Sequence, residues 1–168
     1  MKYTMSVLVE NHAGVLSKVS GLFSRRGFNI DSLAVGITED PSISRMTIVV
    51  EGDEYIVEQL EKQLNKLIPV IKVKALEPNE TIARTLSLIK VSTGKGKRED
   101  VMRISELMGA RIVDVTGSTL TLEFSDTADR TETLENLLRP YGIKEIVRTG
   151  IIALEKGPNA TRPSKRPQ

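Results

Sequence analysis

Along the first 76 positions, the spacing between apolar residues changes back and forth between two values. Within Tyr3–Glu10 apolar side chains recur at every second position, which is typical of a half-buried strand. From Val15 they recur three and four positions apart, which predicts an amphipathic helix closed by Gly27. Read in this way, the half contains strands at Tyr3–Glu10, Asn29–Thr38, Met46–Val50 and Val70–Leu76, and helices from Val15 to Gly27 and from Asp53 to Pro69.

The order strand, helix, strand, strand, helix, strand is that of the split βαβ, or ferredoxin-like, unit. The usual sheet of this unit has its first and third strands in the middle. The second strand, Asn29–Thr38, is then expected at an edge, where it is free to pair with another copy of the chain. Its alternation predicts one face formed by Asp31, Leu33, Val35 and Ile37.

The second half of the chain repeats this pattern without repeating the residues. It contains apolar stripes for helices ending at Gly109 and Pro140, and it predicts strands at Ala83–Ser92, Arg111–Val115, Thr119–Phe124 and Ile143–Leu154. We therefore expect an α+β fold with two tandem ferredoxin-like (βαββαβ) domains, 1–76 and 83–156, joined by a linker at 77–82. Residues 157–168 are rich in proline and basic side chains, which predicts a disordered basic tail.

Composition limits the class of protein. A length of 168 residues allows one ordinary domain or two small ones, and 39% hydrophobic with 27% charged residues is typical of a soluble chain. No apolar stretch approaches the ~20 residues of a membrane span. The absence of cysteine excludes disulfides, thiolate metal sites and cysteine nucleophiles. We expect a cytoplasmic protein with no membrane association and no secretory signal.

The distribution of charge and aromatic residues argues against a nucleic-acid partner. The formal net charge is +2, but the last twelve residues hold three basic and no acidic side chains, so the rest of the chain is close to neutral. A ferredoxin-like sheet that binds RNA stacks bases on aromatics of its central strands. The predicted central strand Arg45–Glu51 contains none.

Residue types that could support catalysis or metal binding are few. His12 is the one histidine, and it has neither cysteine nor a second histidine to act with. Gly94–Lys97 resembles a phosphate-binding loop, but Lys97 is followed by arginine and the glycine spacing does not match a P-loop. A mobile, solvated loop before a helix is the better explanation. We therefore expect no catalytic residues and no metal site.

The string Asn11–Leu16, at the junction of the first strand and first helix, is the strongest local feature. The first N–H groups of a helix lack intrahelical acceptors and, with the helix dipole, favour an anion such as an amino-acid carboxylate. Glycine at position 14 allows close approach to the backbone, and Asn11 has both a donor and an acceptor. The same string also suits a turn that merely requires small residues.

A longer series of residues carries a family resemblance. The segments Val7–Leu16 and Gly27–Leu33 resemble the ACT domain, an amino-acid-sensing module. Together with Thr38–Ile48, Gln59–Leu67 and the second-half strings Ile112–Thr116 and Val147–Gly150, they resemble the small regulatory subunits of acetolactate (acetohydroxyacid) synthase. The resemblance covers about residues 1–156. Ala13 departs from the general ACT pattern, in which proline is common.

This resemblance implies a regulatory rather than catalytic chain. Members of the family bind the catalytic large subunit, raise its activity and make it sensitive to a branched-chain amino acid, most often valine. The large subunit uses thiamine diphosphate, a divalent metal such as Mg and usually FAD. We expect no cofactor on the small subunit itself.

The resemblance also implies a site shared between two ACT domains in a homodimer. Asn11, Gly14 and Val15 of one chain, with the adjoining Leu16, would hold the carboxylate and main-chain groups of the effector. Asn29 and Ile30 of the other chain would accept from its ammonium group. The second half lacks the Asn-x-x-Gly-Val-Leu string, so it is expected to bind no amino acid.

Two alternatives remain open at this point. One is a free-standing ACT-type sensor that acts on another enzyme or on transcription. The latter would need a DNA-binding helix-turn-helix, whereas the second half is strand-rich. The other is an enzyme with an unrecognised site, which would be active when purified alone.

Overall fold

A computed structural model describes residues 1–163, and residues 164–168 lie outside the described part. The strands and helices have the following bounds: β1 Lys2–Glu10, α1 Val15–Arg25, β2 Ile30–Ile37, β3 Ile43–Glu51, α2 Glu54–Asn65, β4 Val70–Leu76, β5 Thr81–Ser92, α3 Arg98–Met108, β6 Arg111–Val115, β7 Thr119–Asp126, α4 Ala128–Leu138, β8 Ile143–Arg148 and β9 Ile152–Glu155. Single 3-10 turns cover Pro78–Glu80 and Arg139–Tyr141.

These elements form two compact units. Of the described residues, the first unit comprises Met1–Ile82 together with 151–163, and the second unit comprises Ala83–Gly150. Each contains the order strand, helix, strand, strand, helix, strand. The predicted α+β fold with two ferredoxin-like sheets is therefore confirmed.

The first sheet has the strand order β2-β3-β1-β4, and its neighbouring strands are antiparallel. The predicted edge position of the second strand is confirmed. Helices α1 and α2 pack against one face of the sheet. The core between them contains the fully buried side chains Met5, Val7, Phe23, Ile48, Leu60 and Leu64, each of which stabilises the fold by about 1.5–3 kcal/mol through burial.

Strand β2 departs from simple alternation at its start. A register shift between Ile30 and Ser32 leaves Asp31 as an extra residue opposite β3. Ile30 and Leu33 therefore both contact the core, and the Asp31 carboxylate instead pairs with the ammonium of Lys2 at 3.1 Å. The predicted common face of Asp31 and Leu33 is wrong, because a pattern of apolar residues does not reveal a bulge.

The second sheet repeats the topology with the order β6-β7-β5-β8, and β9 pairs with β5 outside this order. Helices α3 and α4 cover one face of this sheet. The core of the second unit includes the buried residues Ile89, Val91, Val101, Leu120, Leu122, Leu134 and Leu138. Both halves thus use one sheet architecture with different core residues.

Two strands, β8 and β9, replace the predicted single strand Ile143–Leu154. Between them the ladder breaks, and the Ile151 N–H donates to the hydroxyl oxygen of Ser32 at 2.7 Å. The second unit ends at Gly150, whereas the predicted domain 83–156 continues beyond it. The sequence hides this break because apolar residues continue across it.

Of the two segments predicted to be irregular, the linker contains regular structure and the described part of the tail does not. The predicted linker 77–82 contains a 3-10 turn, and β5 already begins at Thr81. Residues 157–163 of the predicted basic tail form neither helix nor strand, and the rest of the predicted tail 157–168 lies outside the described residues. Across residues 1–163, no helix has the length and apolar character needed to span a membrane.

Candidate functional site

The loop between β1 and α1 depends on Gly14 for its shape. Gly14 is the N-cap of α1 and has φ 86° and ψ −10°, a left-handed conformation that side chains with a Cβ rarely adopt. A Cβ built at this position would meet nothing within 4 Å. Backbone conformation, and not lack of space, therefore requires glycine here, and the approach to the helix end is open.

The N–H groups in the first turn of α1 have no acceptor within the helix and no side-chain cap. The first intrahelical bond runs from the Lys18 N–H to the Gly14 carbonyl at 3.1 Å, so the N–H groups of residues 15–17 precede the ladder. No side chain caps this helix, and no acidic residue lies in its first turn. The exposed N–H groups and the helix dipole together favour an anion.

The other helices begin differently. The Asp53 carboxylate caps α2 by accepting from the Ile56 N–H at 2.9 Å, and the Thr127 hydroxyl caps α4. Helix α3, which occupies in the second sheet the place of α1 in the first, has Glu99 and Asp100 in its first turn. A carboxylate at the start of α3 would meet two negative charges that are absent at α1.

Asn11 fastens this loop to the turn between β2 and β3. Its backbone N–H donates to the Ser42 carbonyl and its side-chain Nδ2 donates to the Pro41 carbonyl, both at 2.8 Å. The turn is itself ordered by Asp40, whose Oδ1 accepts from the N–H of Ser42 at 2.9 Å and from its hydroxyl at 2.7 Å. These two bonds lower the pKa of Asp40. The contact with this turn was not evident from sequence, because it joins residues about thirty positions apart.

His12 completes the loop with both ring nitrogens near acceptors. Its Nε2 lies 2.9 Å from Oε2 of Glu10, and its Nδ1 lies 3.2 Å from the Ala13 carbonyl oxygen. The Ala13 carbonyl and then the Glu10 carboxylate raise the pKa of His12, because both favour the doubly protonated ring. His12 thus has a local role in the loop that connects Asn11 to Gly14.

The two apolar residues of the predicted site differ in exposure. Val15 is 3% exposed and belongs to the core, so its side chain does not line the opening. Leu16 is 45% exposed. Of the two side chains, Leu16 is the one that can contact a ligand.

Within one chain, the predicted site residues fall into two separate groups. Glu10, next to Asn11, pairs with Ile43 at one end of β3, whereas Ile30 pairs with Val50 at the other end. At about 3.3 Å per residue these ends are roughly 23 Å apart. Asn29, which precedes Ile30, donates through Nδ2 to Asp31 at 3.0 Å. A single chain therefore brings Asn11, Gly14, Val15 and Leu16 together, but not Asn29 and Ile30 with them.

The loop that resembles a phosphate-binding loop instead makes hydrogen bonds within the protein. In Gly94–Lys97 the Lys97 N–H donates to the Gly94 carbonyl at 3.0 Å, which closes a tight turn. The following Arg98 donates to the Thr116 carbonyl and, at 3.5 Å, to the Thr93 hydroxyl. Among residues 1–163, no three histidine, cysteine, aspartate or glutamate side chains lie close enough to hold a metal ion.

Comparison with known families matches both halves of the chain. Residues 5–72 match the acetohydroxyacid synthase (AHAS) small subunit-like ACT domain, and residues 84–157 match the small subunit of acetolactate synthase. The first match contains all six predicted site residues.

Individual proteins agree over nearly the whole length. The chain is 47% identical over 163 residues to the acetolactate synthase small subunit of Mycolicibacterium smegmatis, covering 97% of this chain and 96% of that protein. It is 43% identical over 158 residues to the corresponding subunit of Buchnera aphidicola, covering 94% and 100%. The crystal structure of the Thermotoga maritima small subunit superimposes with a TM-score of 0.89 at 38% identity, covering 95% and 99%.

Proposed function

The chain belongs to the acetolactate synthase small subunits, a regulatory family with a catalytic large subunit as partner, and we propose its function from this membership. In this proposal the chain activates the large subunit and makes it sensitive to a branched-chain amino acid, with valine as effector. The thiamine diphosphate, Mg and FAD expected in the complex belong to the large subunit in this proposal. The small subunit would act in the cytoplasm and have no activity alone.

The observation that carries the effector proposal is the open start of α1. Its N–H groups have no side-chain cap, and no acidic residue lies in the first turn, which favours an anion there. Asn11 lies beside them, and because an amide NH₂ has two donors, the bond to Pro41 leaves one for a ligand carboxylate. Leu16 and, at the end of β2, Ile37 (64% exposed) supply apolar surface that suits an aliphatic side chain.

The edge strand β2 supports a homodimer. Its outer side has no strand partner in the described part of the chain, and Val35 and Ile37 are 47% and 64% exposed. An unprotected edge with apolar side chains favours pairing with a second copy. Twofold symmetry would join two β2 strands antiparallel into one continuous sheet.

Such a pairing also explains why the predicted site falls into two groups. Antiparallel β2 strands place the start of one strand beside the end of the other. Asn29 and Ile30 of one chain would then lie near the partner's turn after Ile37, which Asn11 fastens to the start of α1. The two groups that lie at opposite ends of one chain would meet across the dimer.

Regulation would follow from linkage. An effector at a dimer interface shifts an equilibrium only by its different affinity for the two states. In the proposed mechanism valine favours a pairing of the first units that no longer supports the active large subunit. The second unit would bind no amino acid, since it lacks the Asn-x-x-Gly-Val-Leu string and Glu99 and Asp100 already lie in the first turn of α3.

A paired experiment tests this function. The purified full chain is titrated calorimetrically with valine, leucine, isoleucine and, as control, lysine, and the reconstituted complex is assayed for acetolactate synthesis with each. We expect saturable binding of a branched-chain amino acid, no binding of lysine, higher activity with the chain than without, and inhibition by the amino acid that binds. Unchanged large-subunit activity on adding the chain would contradict the proposal.

A further inference from the structure

The chain that follows the second unit returns to the first sheet. We name residues 151–156 the strap. It lies against the sheet face opposite α1 and α2, and its polar contacts reach β2, β3, β4 and the turn after β4. These contacts are Ile151 N–H to Ser32 Oγ at 2.7 Å, Arg45 Nη2 to the Ala153 carbonyl at 2.5 Å, Lys74 Nζ to Glu155 at 2.7 Å, Lys156 N–H to the Glu80 carbonyl at 2.7 Å and Lys156 Nζ to the Asn79 carbonyl at 2.9 Å.

The face beneath the strap is not an ordinary polar surface. The strand pairings place residues of β1, β3 and β4 on this side of the sheet, and they are buried: Ser6, Leu8, Thr47, Val49 and Leu76 are each at most 4% exposed. Ala153 of the strap is itself buried at 8%. The strap therefore helps to close the second face of this sheet.

Strand pairing and polar groups hold the strap, since its residues Ile152–Glu155 form β9, which pairs with β5. Ile152 and Leu154 are 58% and 54% exposed, Ile151 is partly buried and Ala153 is buried. Glu155 is 9% exposed at its side chain and bonds Lys74 through Oε1, whereas its Oε2 is buried without a hydrogen-bond partner among the described residues. Detaching the strap would break these contacts and uncover the buried face beneath it, but it would also rehydrate the Glu155 carboxylate, whose second oxygen is unsatisfied where it lies.

The position of the strap links two regions of the chain. Ser32 lies on β2 just after Ile30, one of the residues of the proposed effector site. Ile151 comes directly after Gly150, the last residue of the second unit. The Ser32 hydroxyl thus accepts a hydrogen bond from the first residue after the second unit. Ser32 itself lies on the strand that the effector would contact.

We propose that the strap is the conformational element that transmits effector occupancy, with Ser32 as its positioning residue. An effector that fixes β2 at the dimer edge would change how firmly Ser32 holds Ile151, and so the balance between seated and detached strap. This inference rests on the proposed function, because it needs an effector at β2.

Hydrogen exchange of the full-length chain tests the proposal directly. Peptides covering residues 150–156 are compared with and without saturating valine. We expect valine to change the exchange of this segment at least threefold, together with the loop at 11–16. Unchanged exchange in the strap, when the loop responds, would overturn the proposal.

Variants separate the strap from the effector site. Ser32→Ala removes the acceptor of the Ile151 N–H, and Glu155→Gln weakens the attachment to Lys74 if the first variant fails to fold. Ser20→Ala is the matched control for the serine, since its hydroxyl bonds only within α1, and Glu58→Gln is the control for the carboxylate, which is exposed.

We expect both strap variants to bind valine within threefold of the wild type, to activate the large subunit, and to retain most of their activity at saturating valine. The controls should remain fully inhibited. Strap variants inhibited as deeply as the wild type would overturn the strap proposal and leave the proposed function standing. If the wild type itself neither binds valine nor is inhibited by it, the proposed function fails first.

Discussion

The two units share a topology but begin their first helices in opposite ways. Helix α1 starts at a left-handed glycine with no cap and no acid, whereas α3 starts at Lys97 with Glu99 and Asp100 in its first turn. The same βαββαβ frame thus leaves the start of α1 open to an anion, whereas the first turn of α3 already holds two carboxylates. Under the proposed function, the first helical turn and not the fold decides which unit binds the effector.

The largest expected effect comes from placing a charge at the start of α1. Gly14→Asp sets a carboxylate where the effector carboxylate would lie, and like charges at such short range cost several kcal/mol. We expect effector affinity to fall by about 100-fold or more, which corresponds to roughly 3 kcal/mol, with activation of the large subunit retained. Calorimetry and the reconstituted assay measure both quantities.

The second unit offers a matched control for this change. Gly109 also has a left-handed backbone, φ 78°, and a Cβ added there would meet no other atom within 4 Å. Gly109→Asp should therefore carry a similar backbone cost without affecting the effector. Equal loss of binding in the two variants would show that Gly14→Asp acts through stability and not through the site.

A smaller effect is expected at the other end of β2. Asn29→Leu should weaken effector binding about tenfold, although Asn11 and Gly14 in the same chain are untouched. Mixing this variant with Gly14→Asp should restore some binding, because mixed dimers contain one site with neither substitution. No recovery on mixing, with each variant folded and dimeric, would contradict a site shared between chains.

The comparison is sharpened by destabilising only the second unit. Arg148 donates through Nε and Nη2 to Oε1 of Glu135 at 2.9 and 2.6 Å, and the Glu135 side chain is 9% exposed. Arg148→Ala would leave that carboxylate buried without its partner, so we expect the free energy of unfolding to fall by about 1–3 kcal/mol. Denaturant unfolding measures this loss.

Effector affinity should remain unchanged in Arg148→Ala if the first unit alone holds the site. Loss of binding by a variant that is still folded would assign part of the site to the second unit.

The smallest effect concerns pH. The pKa of His12 is raised above its ordinary value of 6.5, so its contribution to stability is complete below that value and is lost as pH rises through the folded-state pKa. The lowered pKa of Asp40 acts at the other end, where its contribution is lost as pH falls through that pKa.

We expect the stability difference between the wild type and His12→Asn to be larger at pH 6 than at pH 8.5. Thermal unfolding at the two pH values tests this, and a difference independent of pH would show that the ring contacts of His12 do not contribute.

Local patterns predicted the elements well. The spacing of apolar residues located both helices of the first sheet, and the order of elements predicted the edge position of β2. The family resemblance, carried by ordered strings such as Val7–Leu16, agrees with matches over both halves of the chain. These features depend on residues close together in sequence.

Features that depend on contacts between residues far apart in the chain could not be predicted from the sequence. The bulge at Asp31 depends on the register with β3, and the fastening of Asn11 to Pro41 depends on the turn that follows β2. The return of residues 151–156 to the first unit rests on polar contacts with Ser32, Arg45 and Lys74. No local pattern encodes such contacts, because each partner looks like an ordinary surface residue on its own.

The most direct test of the central claim is an amide-resolved NMR titration of the full chain with valine. The account predicts shifts of the backbone N–H signals of Gly14, Val15, Leu16, Asn29 and Ile30, and none at Lys97–Asp100 at the start of α3. Shifts that cluster at α3, or saturable binding that leaves Gly14–Leu16 unperturbed, would contradict it.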